Sequence, residues 1–278
     1  MTDWLAEGRT AVITGAAGGI GLAAARRFAE AGMNIVLADI KADALSQAET
    51  QLREAGAQVC AQICDVTNLT ALEHLREFAE QRFGAVHCLM NNAGIARMGT
   101  KPWENFAGFQ EILDINLMSI VQGSHVFIPS MLAHGQPGAV INTASKQGIT
   151  RPPGNYAYNL SKAGVLAYSE SLAHAFRAED TCALKAHVLI PGFVYTPMIE
   201  AFIPQKPDFA ATAEETVSFM LERLEEGDFY ILCPDNETPR TLDEKRIQWT
   251  ADDIIQNRPA LSRWHPAYAD AYQKFIAQ

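Results

Sequence analysis

Tyr158 and Lys162 stand four residues apart in the run Tyr158-Asn159-Leu160-Ser161-Lys162. On a helix that separation stacks both side chains on one face. An ammonium beside a phenol favours the phenolate, so the pairing predicts a tyrosine pKa lowered toward the range useful for proton transfer near neutrality. Such a pair is an acid/base device, and the hydroxyl of Ser145 lies a short way upstream in the stretch SKQGITRPPGNYAYNLSK. Pro152, Pro153 and Gly154 make a loop, and the Ala- and Leu-rich run Tyr156 to Arg177 has no further proline. A helix is predicted there, with the pair in its first turns. Taken alone, a Tyr and a Lys at this spacing also read as two solvated helix residues, so corroboration has to come from elsewhere in the chain.

A second constellation sits near the N-terminus. Thr14-Gly15-Ala16-Ala17-Gly18-Gly19-Ile20-Gly21 places glycines at 15, 19 and 21 between a β-branched run and a helical pattern. Missing Cβ atoms there allow a tight turn and let backbone amides approach a pyrophosphate at a helix N-terminus. Asp39 closes the next apolar run, a position from which a carboxylate binds ribose hydroxyls. The same charge repels a 2′-phosphate, and neither Ala17 nor Ile40 supplies a cation to attract one, although Lys41 is nearby. NAD is therefore expected in preference to NADP. The plainer alternative makes the glycines turn formers and Asp39 a helix cap.

The elements that would carry these residues alternate. Thr10 to Thr14, Asn34 to Ala38, Ala57 to Ile63, Ala85 to Met90, Ala139 to Thr143, Lys185 to Ile190 and Asp228 to Cys233 read as strands. Between them, Ile20 to Ala31, Ala42 to Ala55, Leu69 to Phe83 and Thr212 to Glu226 read as helices. Asn105 to Leu132 reads as one long helix that Pro129 must end or bend. Near-continuous apolar strands alternating with amphipathic helices predict an α/β fold, a doubly wound parallel sheet of about seven strands. Ligands on such sheets bind beyond the carboxyl ends of the strands, where Gly15, Asp39, Asp65, Asn91, Ser145 and Pro191 all fall.

With 278 residues, 48% of them hydrophobic, the chain fits one large domain spanning 1–278. A net charge of -10 argues against nucleic acid or an anionic membrane surface as partner. Cys60, Cys64, Cys88, Cys182 and Cys233 show no metal-site spacing and read as reduced packing residues. His125, His134, His174 and His187 likewise fit no metal spacing, and no metal is expected. Neither an export signal nor an 18-residue apolar stretch is read in the chain, and a cytoplasmic protein is expected.

Several ordered motifs resemble the short-chain dehydrogenase/reductase family of the single-domain type, over roughly Gly8 to Met198. Its TGxxxGxG matches Thr14 to Gly21, including Gly15, Gly19, Ile20 and Gly21. Its acidic adenine-contacting position matches Asp65, followed by Val66, and its NNAG matches Asn91, Asn92, Ala93 and Gly94. The family's active-site asparagine matches Asn116, and its serine, thirteen residues before the tyrosine of YxxxK, selects Ser145 with Tyr158 rather than Tyr156. Pro191-Gly192-Phe193-Val194-Tyr195-Thr196 matches the segment whose threonine holds the nicotinamide carboxamide. The resemblance implies a Rossmann fold and hydride transfer between NAD(H) and a secondary alcohol or ketone. It implies Tyr158 as general acid/base and Ser145 as hydrogen-bond donor to the same oxygen. Lys162 would steady the phenolate and hold the ribose, and Asn116 would anchor a water leading from Lys162 to solvent.

Departures from the family bear on substrate. The VDGG-type end common in the family, usual in its ketoacyl reductases, is replaced by Phe229-Tyr230-Ile231-Leu232-Cys233-Pro234-Asp235, followed by a non-standard C-terminal extension, 236–278, expected to pack on the body. Trp249 and Trp264 in it read as packing aromatics rather than pocket lining. Residues 197–211 would form a lid whose Phe202, Ile203 and Phe209 suggest an apolar or aromatic substrate. The family's habit of pairing through its two long helices, with small residues at Ala163, Gly164 and Ala167, implies a homodimer or homotetramer. Rival readings are an NAD-binding regulator without turnover, which should lack part of the Ser-Tyr-Lys-Asn set, and an NAD-using epimerase or dehydratase, which is usually longer.

Overall fold

The computed structural model describes residues 2–97, 101–235 and 238–278; Met1 and the first two residues of the extension, 236 and 237, lie outside them. Among the described residues seven strands form one sheet: β1 (Thr10–Thr14), β2 (Asn34–Asp39), β3 (Val59–Ile63), β4 (Cys88–Asn91), β5 (Gly138–Thr143), β6 (Leu184–Ile190) and β7 (Tyr230–Leu232). Their order is β3-β2-β1-β4-β5-β6-β7, with every pairing parallel. All strands therefore end at the same edge, and the turns that carry the chemistry gather there.

Period-two alternation sends neighbouring strand residues to opposite faces. Ile13, Ile35, Leu37, Met90 and Ile141 join one core with helices α1 (Gly19–Glu30), α2 (Ala42–Glu54) and α9 (Ala213–Glu226). Val12, Val36, Leu89 and Val140 join the other, against α3 (Leu69–Phe83), α5 (Ser119–Ala133) and α7 (Tyr156–Ala178). Both faces being covered, the central strands lack the polar half of an amphipathic strand. Cys60, Cys64, Cys88 and Cys233 are buried and Cys182 is half-buried, all of them free thiols. Burial pushes Cys60 and Cys64 up to about 11 and Cys233 to about 12, which keeps them inert.

The long helix expected from Asn105 to Leu132 is three pieces. After α4 (Phe106–Leu113) comes one π-helical turn, Asp114–Met118, and α5 then continues past the exposed Pro129 to Ala133. Proline thus does not end the helix. The remaining helices are α6 (Lys146–Thr150), α8 (Pro197–Glu200), α10 (Arg240–Ile255) and α11 (Ala269–Ala277). In the extension, Trp249 is buried between Tyr272 and Phe275, its ring centroid 5.3 Å from each. The Arg258 guanidinium stacks on it at 4.0 Å, and the indole N–H donates to Ser262 Oγ at 2.8 Å. Trp249 is a packing residue, as expected; Trp264 stays partly exposed beside Arg263.

Candidate active site

The turn between β1 and α1 is shaped by backbone proximity. Gly15 (φ 65°) and Gly19 (φ 56°) occupy left-handed conformations that disfavour a side chain. A Cβ on Gly21 would overlap the Gly15 carbonyl and stand 2.7 Å from Asn92 Nδ2, so α1 is pressed directly onto the turn. One on Gly19 would meet Thr196 Cγ2 at 3.1 Å, which puts the glycine turn beside the Pro191–Thr196 segment. Thr14 Oγ1 accepts from the amides of Asn92 and Ala93 at 3.0 and 3.1 Å, while Asn92 Nδ2 donates to Thr14 O at 3.0 Å. Thr14 is thus a stitch between β1 and β4 that sequence reasoning treated only as a motif letter.

At the end of β2 the Asp39 carboxylate is held on both oxygens, by the amide of Ala17 at 3.1 Å and that of Lys41 at 3.0 Å. It stands beside the glycine turn rather than capping a helix. Asp65 is exposed and accepts from the Thr67 amide and hydroxyl at 3.0 and 2.7 Å, with Val66 buried behind it. Gly94 lies between two site residues: a Cβ there would be 3.3 Å from Asn116 Oδ1 and 3.8 Å from Lys162 Nζ.

Lys162 is buried, and its ammonium donates to the Thr143 carbonyl at 2.8 Å. Nζ lies 5.8 Å from the Tyr158 ring centroid. Burial lowers the Lys162 pKa to about 8. The Tyr158 phenol is pushed above its ordinary value by burial, with the Ser145 hydroxyl, hydrogen-bonded to it, pulling in the opposite direction. This corrects the expectation that Lys162 lowers the phenol. Desolvation is the leading cause at both groups, raising the phenol and lowering the ammonium. Ser145 is itself oriented as N-cap of α6, its Oγ accepting from the Gln147 amide at 3.2 Å. α6 lies across α7 so closely that a Cβ on Gly148 would be 2.6 Å from the Lys162 carbonyl. No helical period in the sequence marks this short helix.

Asn116 occupies the π turn and is fully buried. Its amide accepts from Ile95 N at 2.8 Å and donates to Ile95 O at 2.9 Å, pinning the chain just after Gly94. Asn116 therefore faces the interior although it lies in mid-helix. The one-turn change of helical pitch, a feature frequent at functional sites, is what the sequence pattern did not reveal.

The Pro191–Thr196 segment is tied on both sides. Pro191 O accepts from the Lys146 amide at 3.0 Å, and Phe193 N donates to Asp235 Oδ1 at 2.9 Å. The Tyr195 amide donates to Ala211 O at 2.8 Å, with a single bridge pairing Val194 and Ala211. Residues 197–211 leave from Thr196 and return at Ala211, where the capping box of Thr212 and Glu215 starts α9. Within that excursion Phe202 and Ile203 are exposed, while Phe209 meets Phe193 edge-on at 5.2 Å. Trp103 and Tyr156 form an exposed aromatic pair at 5.7 Å, at the N-terminal end of α7.

The structure therefore brings the predicted residues to one edge, and it adds Thr14, Thr143, Lys146 and Asp235, whose parts depend on contacts distant in sequence. Comparisons with known proteins agree with that geometry. The short chain dehydrogenase profile matches residues 9–207. The "1-deoxy-11-beta-hydroxypentalenate dehydrogenase" of Streptomyces exfoliatus is 32% identical, over 92% of this chain and 94% of that protein. The "3beta-hydroxysteroid dehydrogenase 2" of Eggerthella lenta is 33% identical, over 68% of this chain and 72% of its own length. A solved short chain dehydrogenase/reductase from Burkholderia phymatum in complex with NAD superimposes with a TM-score of 0.82 at 31% identity, covering 93% of this chain and 98% of that one. A family match across most of the chain and a near-full-length structural likeness lead to one assignment: this protein belongs to the short chain dehydrogenase family.

Proposed function

We propose that the protein oxidises a secondary alcohol, or reduces the matching ketone, with NAD(H) as hydride carrier and Tyr158 as general acid/base. The observation that carries the reading is the convergence of Tyr158, Ser145 and Lys162 on the sheet edge where the Gly15–Gly21 turn approaches Thr196. The site suits a dinucleotide, because the glycine turn leaves the space that Cβ atoms would fill and Asp39 stands ready at the end of β2. Gly15, Gly19, Ile20 and Gly21 would hold the pyrophosphate, Asp39 the ribose hydroxyls, and Asp65 with Val66 the adenine. Asn92, Ala93, Gly94, Tyr158, Lys162, Pro191, Gly192, Val194 and Thr196 would line the nicotinamide half. Held there, NAD(H) would supply the hydride chemistry at the carbinol carbon.

The remaining chemistry belongs to the chain. Ser145 donates to the substrate oxygen, and Tyr158 gives that oxygen a proton in reduction or takes one in oxidation. Lys162 opposes the charge on the phenolate, and Asn116 fixes the loop that carries Gly94. A phenol raised by burial is mostly protonated at neutrality, so oxidation should accelerate as pH rises while reduction should not. Tyr158→Phe should lower turnover by about 10²–10⁴-fold; turnover at the wild-type rate would refute the mechanism. The substrate is apolar or aromatic, a reading supported by Phe202, Ile203, Trp103 and Tyr156 and by relatives named for hydroxypentalenate and hydroxysteroid substrates. An NADH-absorbance screen of hydroxysteroids, aryl alcohols and sugars tests this, and activity confined to sugars would overturn it.

The chain works as one domain, in which residues 197–211 act as the lid and the extension is part of the body. Dimers or tetramers form through α5 and α7, whose Met118 flank, Leu132 and Leu160 are exposed. Gly164 does not serve that contact, since a Cβ there would stand 2.8 Å from Leu117 of the same chain. Sedimentation as a monomer at micromolar concentration would refute the assembly. Five free thiols agree with a cytoplasmic site of action. Among the described residues no helix is long and apolar enough to cross a membrane.

A further inference from the structure

Immediately after Ser145, the side chain of Lys146 is nine-tenths buried and makes two ion pairs, with Asp235 Oδ2 at 2.8 Å and with Asp243 Oδ2 at 2.6 Å. Asp235 follows β7, and Asp243 is in the first turn of α10, where it is almost wholly buried. Arg246 lies 3.5 Å from Asp243 Oδ1, so two cations face two carboxylates. A lysine between a buried and a half-buried aspartate is costly to desolvate, and it holds its place only where the partners are fixed. Here both ends are tied to the site. The backbone amide of Lys146 donates to Pro191 O at 3.0 Å, and the other oxygen of Asp235 accepts from Phe193 N at 2.9 Å. Any Cβ on Gly192 would overlap that carboxylate.

We infer that Lys146, Asp235 and Asp243 form a clamp by which the C-terminal extension positions Ser145 and the Pro191–Thr196 segment. Displacement of α10 moves the Lys146 ammonium, and with it the backbone that joins Lys146 to Ser145 and the carboxylate that holds Phe193. The extension is then a working part of the site, and the three residues are positioning residues that touch neither substrate nor cofactor. The reading rests on the proposed chemistry only for its effect on turnover; its effect on dinucleotide binding and on backbone protection does not require that chemistry.

Three variants and one measurement on the unaltered protein test it. Asp243→Asn removes the charge supplied by α10 and keeps the volume; it should weaken NADH binding, read by fluorescence titration, and lower kcat, each by about 3- to 10-fold. Lys146→Met should exceed both effects, and Lys146→Arg should restore part of them. Variants that melt earlier yet keep the wild-type NADH Kd and kcat would overturn the positioning role and leave a purely structural one. Hydrogen–deuterium exchange on the wild-type chain decides even if a variant does not fold. Segments 145–151, 191–196 and 240–255 should exchange as one slow unit. If 240–255 opens while the other two stay protected, the clamp is refuted. Tyr158→Phe keeps the two readings apart: it should lose turnover by far more than it loses NADH affinity. Were it to keep turnover, the acid/base reading would fail, while the clamp would still be judged on NADH affinity and exchange.

Discussion

Around the β1–α1 turn the site is held chiefly by close backbone approach: α1 is pressed onto the Gly15 carbonyl, and a Cβ on Gly15 would stand 2.8 Å from Ala93 Cα. Beyond β5 the equivalent positions are held by side chains, with one buried ammonium joining the ends of β5, β6 and β7 to α10. The first kind of contact demands a missing Cβ at fixed places in a short stretch. The second demands charges that meet only after the chain has folded, such as Lys146 and Asp235, which are 89 residues apart. One half of the site is therefore intolerant of added volume and the other of removed charge or packing, and the two can be broken separately.

The largest effect is expected in the extension. Trp249→Ala empties the aromatic centre around Tyr272, Phe275 and Arg258 and should cost about 3–5 kcal/mol in chemical denaturation. A loss below about 1 kcal/mol would mean that the extension packs independently of that residue.

Gly21→Ala attacks the other half, because the new methyl meets a backbone carbonyl that has no room to withdraw. NADH binding should weaken on the order of 100-fold, about 2.7 kcal/mol, with most of the fold retained. Gly192→Ala makes the contrast sharper: its obstacle is the Asp235 side chain, which can shift if the clamp loosens, so a smaller loss is expected.

Lys162→Met should raise stability while abolishing turnover. The folded pKa of about 8 lies below the ordinary lysine value of 10.5, so at neutral pH the fold carries a buried charge that it disfavours. Below pH 8 that penalty is fully present; it fades as pH climbs from about 8 to about 10.5, because the unfolded chain keeps its proton longer. The variant should be more stable by about 1–3 kcal/mol at pH 7, with the gain shrinking toward pH 10. A pH-independent difference would show that the ammonium is not what the fold resists.

Asp39→Ala gives the smallest effect. It frees the amides of Ala17 and Lys41 and removes the charge expected to repel a 2′-phosphate. The preference for NADH over NADPH should narrow by about tenfold, near 1.4 kcal/mol, in paired titrations. Tighter binding of NADPH by the unaltered protein would reverse the reading of Asp39.

How far each part could be read from the chain follows the same division. The strands were legible because a sheet covered on both faces requires near-continuous apolar runs, and β1 (Thr10–Thr14) coincides with the predicted span. The extension was not legible. Its burial is concentrated in Asp243, Trp249, Ser262 and Tyr272, which do not recur at a helical period. Alignment with the Streptomyces exfoliatus relative covers 92% of the chain, so it extends well beyond the profile's end at residue 207. Asn116 shows a third situation, in which the motif marks the residue while the single π turn that holds it has no counterpart in the helical pattern.

By itself the sequence determined what is local: the alternation of elements, the turn that only glycine can make, the carboxylate after β2, and a tyrosine and lysine on one helix face. These depend on backbone sterics and on spacing along the chain, which residue types express directly. Only the tertiary structure decided how protons are held and what holds the site. Burial moves Tyr158 up and Lys162 down where proximity alone predicted a lowered phenol. Desolvation and the pairing of Lys146 with Asp235 and Asp243 depend on which distant segments close over a group, and no spacing along the chain records that.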